Sequence, residues 1–254
     1  MGSKPHRPSS MTMTDIITAL RPDPSDPDKV NLFIDGKHIT TVTLDVAAAE
    51  RLTVGQQCPP ERLERLHQAE EIQQVYESAI RFLSYRPRSE REVELRLRKK
   101  AYTPEQIATV IDRLRKRGYL DDMEFARFWV GNRMSFSPRG PRLLRSELRQ
   151  KGVSQQIVDA ILAEQSEAQT EAAQEAEEVA AIWGTSSDEP APGTDLANAL
   201  NLAQKKWRTY SSLDPQIARR RLTAFLARRG YNYDTIDSTL RRLLKPDEDE
   251  EYAE

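Results

Sequence analysis

The clearest pattern of hydrophobic and polar positions lies between residues 82 and 120, where two short amphipathic segments follow one another. Ser89 and Glu92 have the spacing of a capping box, in which two side chains satisfy free backbone amides at a helix start. Val93 and Leu97 then recur four residues apart, as on one face of a helix. This segment therefore predicts a short helix that begins after Ser89.

A second helix start follows at Thr103, with Pro104 in the first helical position and Gln106 in the third. The apolar positions behind it have helical spacing and comprise Ile107, Val110, Ile111 and Leu114. Gly118 stands where this helix is predicted to end.

The same pattern returns twice. Its apolar positions shift by 51 residues and then by a further 78, which gives the sets Val93, Leu97 and Ile107; Leu144, Leu148 and Val158; and Leu222, Leu226 and Ile236. A small residue recurs in the turn as Ala101, Gly152 and Gly230, and tryptophan recurs as Trp129 and Trp207. Such repetition is typical of stacked helical units. The sequence thus predicts a mainly α-helical protein, an elongated array of three tandem three-helix repeats.

A β-rich segment precedes the repeats. Thr14 to Arg21 has β-like character, and residues 30–42 resemble a hairpin on an Asp35-Gly36 turn. Asp45 is predicted to cap a short helix. Because the composition changes at residues 56–60, we expect this module to be separable from the helices at about residue 62.

The predicted organisation has eight segments. They are a disordered tail at 1–13, a small β-rich module at 14–55, a linker at 56–69, repeat 1 at 70–120, repeat 2 at 121–164, an acidic Ala/Glu-rich insert at 165–194, repeat 3 at 195–245 and an acidic tail at 246–254. Within the insert, the part up to Trp183 is predicted to extend a helix, and residues 184–194 are predicted to form a loop.

Charge is unevenly distributed. Residues 81–151 contain nineteen Lys and Arg against nine Asp and Glu, whereas residues 164–189 contain eight acidic residues and no basic one. The basic segment favours an anionic partner despite the net charge of −2. Cys58, the only cysteine, is placed in the linker and leaves no disulfide framework. No membrane span or secretory signal is evident, so we expect a cytoplasmic protein.

Catalytic chemistry has no clear candidate in the sequence. His6, His38 and His67 lie away from any candidate nucleophile, and the common phosphate-binding, hydrolase and metalloprotease motifs are absent. The Asp121-Asp122 pair is better explained as a helix cap and a first-turn acid than as a metal site. The sequence predicts a non-enzymatic protein without a cofactor or metal.

Clusters of Lys and Arg occupy matching places in the three repeats. Stacked repeats would align them on one side, where they suit a phosphate backbone or an acidic protein groove. The competing interpretation is a solvated helix face. The candidate binding residues are Arg86, Arg88, Arg91, Arg98, Lys100, Arg139, Arg142, Arg145, Arg149, Lys151, Arg219, Arg220, Arg228 and Arg229. Candidates for stacking on bases, with core packing as the alternative, are Tyr85, Tyr102, Tyr119 and Tyr231.

Two stretches resemble the RecX family of recombinase regulators. They are FLSYRPRSEREVELRLRKKAY and, after one further helix, GYLDDMEFARFWVGNRMSFSPRGPRLLRSELRQKGV. The resemblance is specific from about Ile72 to Leu162 and weaker in repeat 3. It implies three-helix repeats and a protein that binds the RecA recombinase, or its filament on single-stranded DNA, and inhibits or modulates recombination, ATPase and SOS activity in DNA repair. Ala101 replaces the glycine usual in the family, which predicts a turn without a positive φ.

Three functions remain open at this point. The favoured one is a monomeric recombinase regulator that also contacts single-stranded or double-stranded DNA. The second is a stand-alone DNA-binding regulator with helix-turn-helix-like pairs, which predicts sequence-specific duplex binding and usually a dimer. The third is a structural scaffold of helical repeats, which predicts no salt-dependent affinity for nucleic acid.

Overall fold

The computed structural model describes residues 15–183, 190–191 and 193–244. These residues form two compact units. One contains the described residues up to Ser84 together with Arg96–Lys116, and the other contains Tyr85–Leu95 together with the described residues from Arg117 onward. The described part of the chain holds three strands and ten helices.

The N-terminal sheet has the predicted hairpin. Strands β1 (Ile17–Pro22), β2 (Lys29–Ile34) and β3 (Lys37–Thr43) pair antiparallel in the order β1-β2-β3. The β2–β3 turn places Asp35 at a φ of 49° and Gly36 at 80°. Two left-handed residues are what a tight two-residue hairpin turn requires. The predicted β-rich module is thus confirmed as a three-stranded sheet.

The sheet packs its inner face against helix α2 (Pro60–Leu83). Ile17, Leu32 and Val42 are fully buried in one core with Leu66 of α2. At the end of β3, the buried Glu70 carboxylate of α2 accepts hydrogen bonds from the backbone N–H and the hydroxyl of Thr43 at 2.8 and 3.2 Å. This shared core argues against the expected separation of the module at residue 62.

Three local details also differ from expectation. Helix α2 begins at Pro60, whose fixed φ suits a first helical turn, and it occupies most of the expected linker. Cys58 lies in the core of the module, 2% exposed, and burial raises the pKa of its thiol. Helix α1 (Leu44–Ala49) is capped by the Thr43 hydroxyl, which accepts from the Val46 N–H, rather than by Asp45.

The remaining helices follow the predicted repeats. They are α3 (Glu90–Arg98), α4 (Pro104–Lys116), α5 (Asp122–Phe136), α6 (Pro141–Gln150), α7 (Gln155–Trp183), α8 (Asp195–Tyr210), α9 (Pro215–Arg228) and α10 (Tyr233–Leu243). The nine apolar positions that define the repeat are all buried, and none is more than 4% exposed. The repeat pattern therefore identifies the core residues correctly.

The turn after the second helix of each repeat is left-handed in all three repeats. Ala101 has a φ of 61°, Gly152 of 87° and Gly230 of 89°. The prediction of a turn without a positive φ at Ala101 is therefore wrong. An L-residue in this conformation carries strain of about 1–2 kcal/mol, which the geometry of the repeat imposes on repeat 1.

Helix ends meet head to tail within the second unit. The Ser89 hydroxyl at the start of α3 donates to the Lys151 carbonyl at 2.6 Å, and the Gly140 N–H before α6 donates to the Arg229 carbonyl at 2.9 Å. The two donors, Ser89 and Gly140, occupy the same position in repeats 1 and 2. The two acceptors, Lys151 and Arg229, occupy the same position in repeats 2 and 3. The end of α6 thus meets the start of α3, and the end of α9 meets the start of α6, which pairs opposite ends of the helix dipoles.

Glycine is required at the contact between α6 and α9. A Cβ added to Gly140 would lie 2.3 Å from the carbonyl carbon of Gly230, far inside van der Waals contact. The start of α9 is closed differently, because the Asp214 carboxylate accepts from the N–H groups of Gln216 and Ile217. A side chain therefore caps the start of α9, whereas the starts of α3 and α6 meet the end of a helix from the next repeat.

The acidic insert begins as a continuation of α7, which runs to Trp183 and confirms the predicted helical extension. Five glutamates recur every three or four residues, and so share one helix face: Glu164, Glu167, Glu171, Glu175 and Glu178. The Gln169 amide exchanges hydrogen bonds with the N–H and the carboxylate of Asp195 at 3.2 and 3.3 Å. Most of the predicted loop at 184–194 lies outside the described residues.

Candidate nucleic-acid interface

Helix α6 presents a row of arginines on the side opposite its buried leucines. Leu144 and Leu148 are buried in the core of repeat 2. Arg142 and Arg149 are exposed and Arg145 is half-buried, at spacings of three and four residues that place the three on one face. Arg142 and Arg149 form no ion pair with any described residue. The amphipathic sequence of α6 thus creates this face, which we call the α6 arginine face.

The surroundings of the α6 arginine face are open and polar. Ser146 and Gln150 line a shallow concavity together with the three arginines. Arg145 pairs with Asp159 at 3.2 Å, with both side chains about half exposed. A hydrogen bond from Gln155, followed by Arg145, lowers the pKa of Asp159. An exposed pair of this kind contributes only about 0–1 kcal/mol, so an incoming phosphate can replace it.

Two of the other predicted cations are engaged where repeats 1 and 2 meet. Glu92 accepts hydrogen bonds from Arg86 at 3.1 and 3.2 Å and from Lys151 at 2.6 Å. Burial by itself would raise the pKa of Glu92, but the hydrogen bonds and charges of Arg86 and Lys151 outweigh it and lower that pKa. The Lys151 ammonium also lies 4.8 Å from the centre of the Trp129 ring. The two cations therefore hold the junction together.

A similar network lies where repeats 2 and 3 meet. The Glu147 carboxylate accepts from the Trp129 indole N–H and the Arg133 guanidinium, both at 2.9 Å, and from Arg139. Burial lowers the pKa of Arg139, and the charges of Arg133 and Arg229 lower it further. Two arginines thus share one glutamate, and the nearby charge of Arg229 adds to the excess of positive charge. Sequence reasoning had missed Arg133.

The predicted cations of repeat 3 are mostly at the surface. Arg219, Arg220 and Arg228 are exposed, and Arg219 lies 3.6 Å from the carboxylate of Asp237. Arg229 is half-buried and donates to the Ser137 hydroxyl at 3.3 Å. Arg220 and Arg228 are therefore the most accessible of the predicted cations in this repeat.

The remaining predicted cations belong to repeat 1. Arg91 and Arg98 are exposed, and Arg88 is half-buried. Lys100 donates to the hydroxyl of the buried Ser78 at 2.7 Å. Lys100 thus has a structural contact within repeat 1.

The aromatic candidates fall into two groups. Tyr231 is 1% exposed within the core of repeat 3, so it does not stack on a ligand. Tyr102 is half-buried, while Tyr85 and Tyr119 are exposed. Sequence reasoning missed Phe136, which is 82% exposed. The repeat register could have found it, because Phe136 occupies the position of Tyr85.

The predicted cap at Asp121 is confirmed, since its carboxylate accepts from the N–H groups of Met123 and Glu124. Asp122 accepts from the N–H of Glu90 at 2.9 Å. Among the described residues, no group of three His, Cys, Asp or Glu side chains is arranged to hold a metal ion. None of the helices in that part of the chain is long and apolar enough to span a membrane.

The fold and its arginine-rich surface define a protein built from three tandem three-helix domains. Three family models match it, described as the first, second and third three-helix domains of RecX, at residues 76–114, 121–162 and 194–240. Together the matched ranges cover half of the chain. The chain belongs to the RecX family.

Curated relatives with the name "Regulatory protein RecX" match over most of their length. The protein of Listeria monocytogenes serotype 4a (strain HCC23) is 27% identical over 256 residues, covering 88% of this chain and 95% of that protein. The protein of Bacillus licheniformis is 27% identical over 225 residues, covering 89% of this chain and 76% of that protein. The similarity thus extends beyond the three matched domains.

Two solved structures share the fold. One, described as a crystal structure of regulatory protein RecX, has a TM-score of 0.69 at 21% identity and covers 87% of this chain and 97% of its own. The crystal structure of RecX from Lactobacillus salivarius has a TM-score of 0.53 at 24% identity, covering 69% of this chain and 97% of its own. At these identities the likeness establishes the fold alone.

Proposed function

We propose that this protein is a non-enzymatic regulator that binds the RecA recombinase, or its filament on single-stranded DNA, and inhibits or modulates recombination, ATPase and SOS activity in DNA repair. Membership of the RecX family supports this function, as does the regulatory role in the names of the relatives. The α6 arginine face is the observation that supports a binding site on this protein. Such a regulator acts in the cytoplasm, where we expect it to be a monomer.

The chemistry of the α6 arginine face suits phosphate. A guanidinium group donates two parallel hydrogen bonds to a phosphate and keeps its charge at any physiological pH. With a rise of about 1.5 Å per residue, Arg142, Arg145 and Arg149 are spaced by about 4.5 and 6 Å along the helix axis. Their only acidic neighbour among the described ion pairs is Asp159. The face therefore carries net positive charge and can follow a polyanion.

The engaged cations of the two junctions have a different role. Glu92 and Glu147 are only 16% and 12% exposed. A ligand that displaced Arg86, Arg139 or Lys151 would remove an ion-pair partner from Glu92 or Glu147. A largely buried carboxylate without enough positive charge beside it is destabilising. We therefore assign direct contact to the α6 arginine face and to exposed cations such as Arg228. The junction cations position the repeats.

The test is to add the purified full-length protein to RecA assembled on single-stranded DNA and to follow ATP hydrolysis. A regulator of this kind lowers the ATPase rate in a concentration-dependent manner. If the rate stays constant while the protein binds a duplex with sequence specificity, the stand-alone DNA-binding function replaces the one proposed. If neither effect occurs, the protein is a scaffold and the proposed function is wrong.

A further inference from the structure

Two aromatic side chains stand out on the surface of the second unit. Tyr85 and Phe136 are 83% and 82% exposed, the highest values among the large hydrophobic side chains of the described residues. They lie 51 residues apart, at the same position of repeats 1 and 2. A single exposed aromatic needs no explanation, but the same exposure at equivalent repeat positions does, because neither ring contributes much to the core.

Each ring directly precedes a helix-helix turn that contains proline and arginine. Tyr85 is followed by Arg86-Pro87-Arg88, and Phe136 by Ser137-Pro138-Arg139. These turns lead to two clusters in which two cations share one carboxylate: Arg86 and Lys151 on Glu92, and Arg133 and Arg139 on Glu147, with the charge of Arg229 acting on Arg139. An exposed ring and an excess of positive charge therefore occur together twice.

We infer that Tyr85 and Phe136 stack on bases of single-stranded nucleic acid, one ring in each repeat, while nearby cations attract its phosphates. A protein hot spot normally sits in an apolar patch whose rim excludes water. The chain neighbours of Tyr85 and Phe136 are instead serine, proline and arginine. An isolated ring beside positive charge is the arrangement that binds single strands without sequence preference. Repeat 3 lacks an exposed ring at this place, because Tyr210 at the end of α8 is half-buried against the core of the repeat and Asp214 caps α9.

This inference rests on the proposed function, since it specifies how the regulator contacts the single strand. Its test measures the affinity of the full-length protein for a labelled oligo(dT) and for an abasic oligomer with the same number of phosphates. Stacking contributes about 1–3 kcal/mol per base, so Tyr85→Ala and Phe136→Ala should each weaken oligo(dT) binding by about fivefold or more. Neither change should alter abasic binding or the dependence on salt.

Three matched variants serve as controls. Tyr85→Phe and Phe136→Tyr keep a ring and should keep the affinity of the wild type. Tyr233→Ala removes a ring of similar exposure, 74%, from repeat 3 and should have no effect. Far-UV circular dichroism establishes that each variant is folded.

Base stacking is contradicted if Tyr85→Ala and Phe136→Ala bind oligo(dT) like the wild type. It is also contradicted if they lose affinity equally for oligo(dT) and for the abasic oligomer. Unchanged DNA binding with impaired inhibition of the recombinase would assign the two rings to a protein contact instead. If replacing the arginines of α6 weakens DNA binding while replacing the rings does not, only the stacking fails. If the wild type binds neither oligomer, direct DNA contact in the proposed function fails as well.

Discussion

The strained turn of repeat 1 allows a quantitative prediction. Ala101 holds a φ of 61° where the equivalent turns of repeats 2 and 3 have glycine. Replacing it by glycine removes the clash between the Cβ and the backbone that makes this region unfavourable for an L-residue. Ala101 is exposed, so removing its methyl group sacrifices little apolar burial. Ala101→Gly should therefore stabilise the protein.

The magnitude follows from two opposing contributions. Relief of the left-handed conformation is worth about 1–2 kcal/mol. The extra freedom that glycine gives the unfolded chain costs about 0.5–1 kcal/mol. The free energy of unfolding should therefore rise by about 0.5–1 kcal/mol, which corresponds to an increase of about 0.2–0.4 M in the urea midpoint at an m-value of roughly 2.5 kcal/mol/M.

Urea unfolding followed by far-UV circular dichroism measures this change. Gly118→Ala is the matched reverse substitution, because Gly118 has a φ of 71° and an added Cβ there would touch nothing within 4 Å. It should lower the free energy of unfolding by about 0.5–1 kcal/mol, which is the added strain less the entropy that alanine removes from the unfolded chain. A midpoint that falls or stays constant in Ala101→Gly would show that the turn is not strained.

Three further predictions concern stability. Gly140→Ala should destabilise the repeat 2–3 contact by at least about 1–3 kcal/mol through overpacking, as measured by urea unfolding. Leu66→Ala should cost about 2–5 kcal/mol because it opens a cavity in the core shared by the sheet and α2, and a truncation that removes the sheet should be unstable for the same reason. Glu92→Gln should lower stability at pH 7. Folding lowers the pKa of the Glu92 carboxyl, so Glu92 stabilises the folded protein at pH values above its ordinary pKa of 4.5. This contribution is lost as the pH falls through the folded pKa. The stability of the variant should therefore decline less steeply in acid than that of the wild type.

Controls and contradicting results are specific to each. Gly131→Ala, on α5 with nothing near an added Cβ, should be neutral or stabilising and separates the effect of contact at Gly140 from that of adding a methyl group. A cooperatively folded truncation lacking residues 1–61 would contradict the shared core. An acid unfolding profile of Glu92→Gln identical to that of the wild type would show that the Glu92 cluster does not contribute to stability.

Most of the helical fold could be predicted from the sequence because burial follows periodicity. The repeat positions of Val93, Leu144 and Leu222 are dictated by local apolar spacing, and each is buried as expected. Composition alone could not locate Cys58, since its burial depends on a sheet formed by residues distant along the chain. The conformation of Ala101 also escaped prediction, because the geometry of the repeat overrides the preference of the individual residue.

The candidate interface was less predictable, for a reason of geometry. Charge spacing within α6 identified the arginines that share a face. Charge alone could not distinguish Arg149, which is exposed, from Arg139, which pairs with Glu147, and Lys151, which pairs with Glu92 of α3. Ion pairs between helices depend on how the helix ends meet. The pairing of Lys151 with Glu92 therefore follows from the contact between the end of α6 and the start of α3.

The most direct test of the central claim compares recombinase inhibition before and after reversal of the α6 arginine face. The variant carries Arg142, Arg145 and Arg149 all changed to Glu. Exposed charges such as Arg142 and Arg149 usually alter stability by no more than about 0.5 kcal/mol each, and loss of the Arg145–Asp159 pair costs about 0–1 kcal/mol. The control makes the same change in net charge elsewhere, on the exposed residues Lys37, Arg51 and Arg65.

Both variants are titrated into RecA on single-stranded DNA while ATP hydrolysis is measured. We predict that the α6 variant folds but no longer inhibits, and that the control inhibits like the wild type. Binding of the α6 variant to single-stranded DNA should weaken and depend less on salt, by roughly 0.7 of log–log slope for each phosphate that an arginine no longer neutralises. Inhibition by the folded α6 variant at wild-type concentration would contradict the account and show that this face is only a solvated surface.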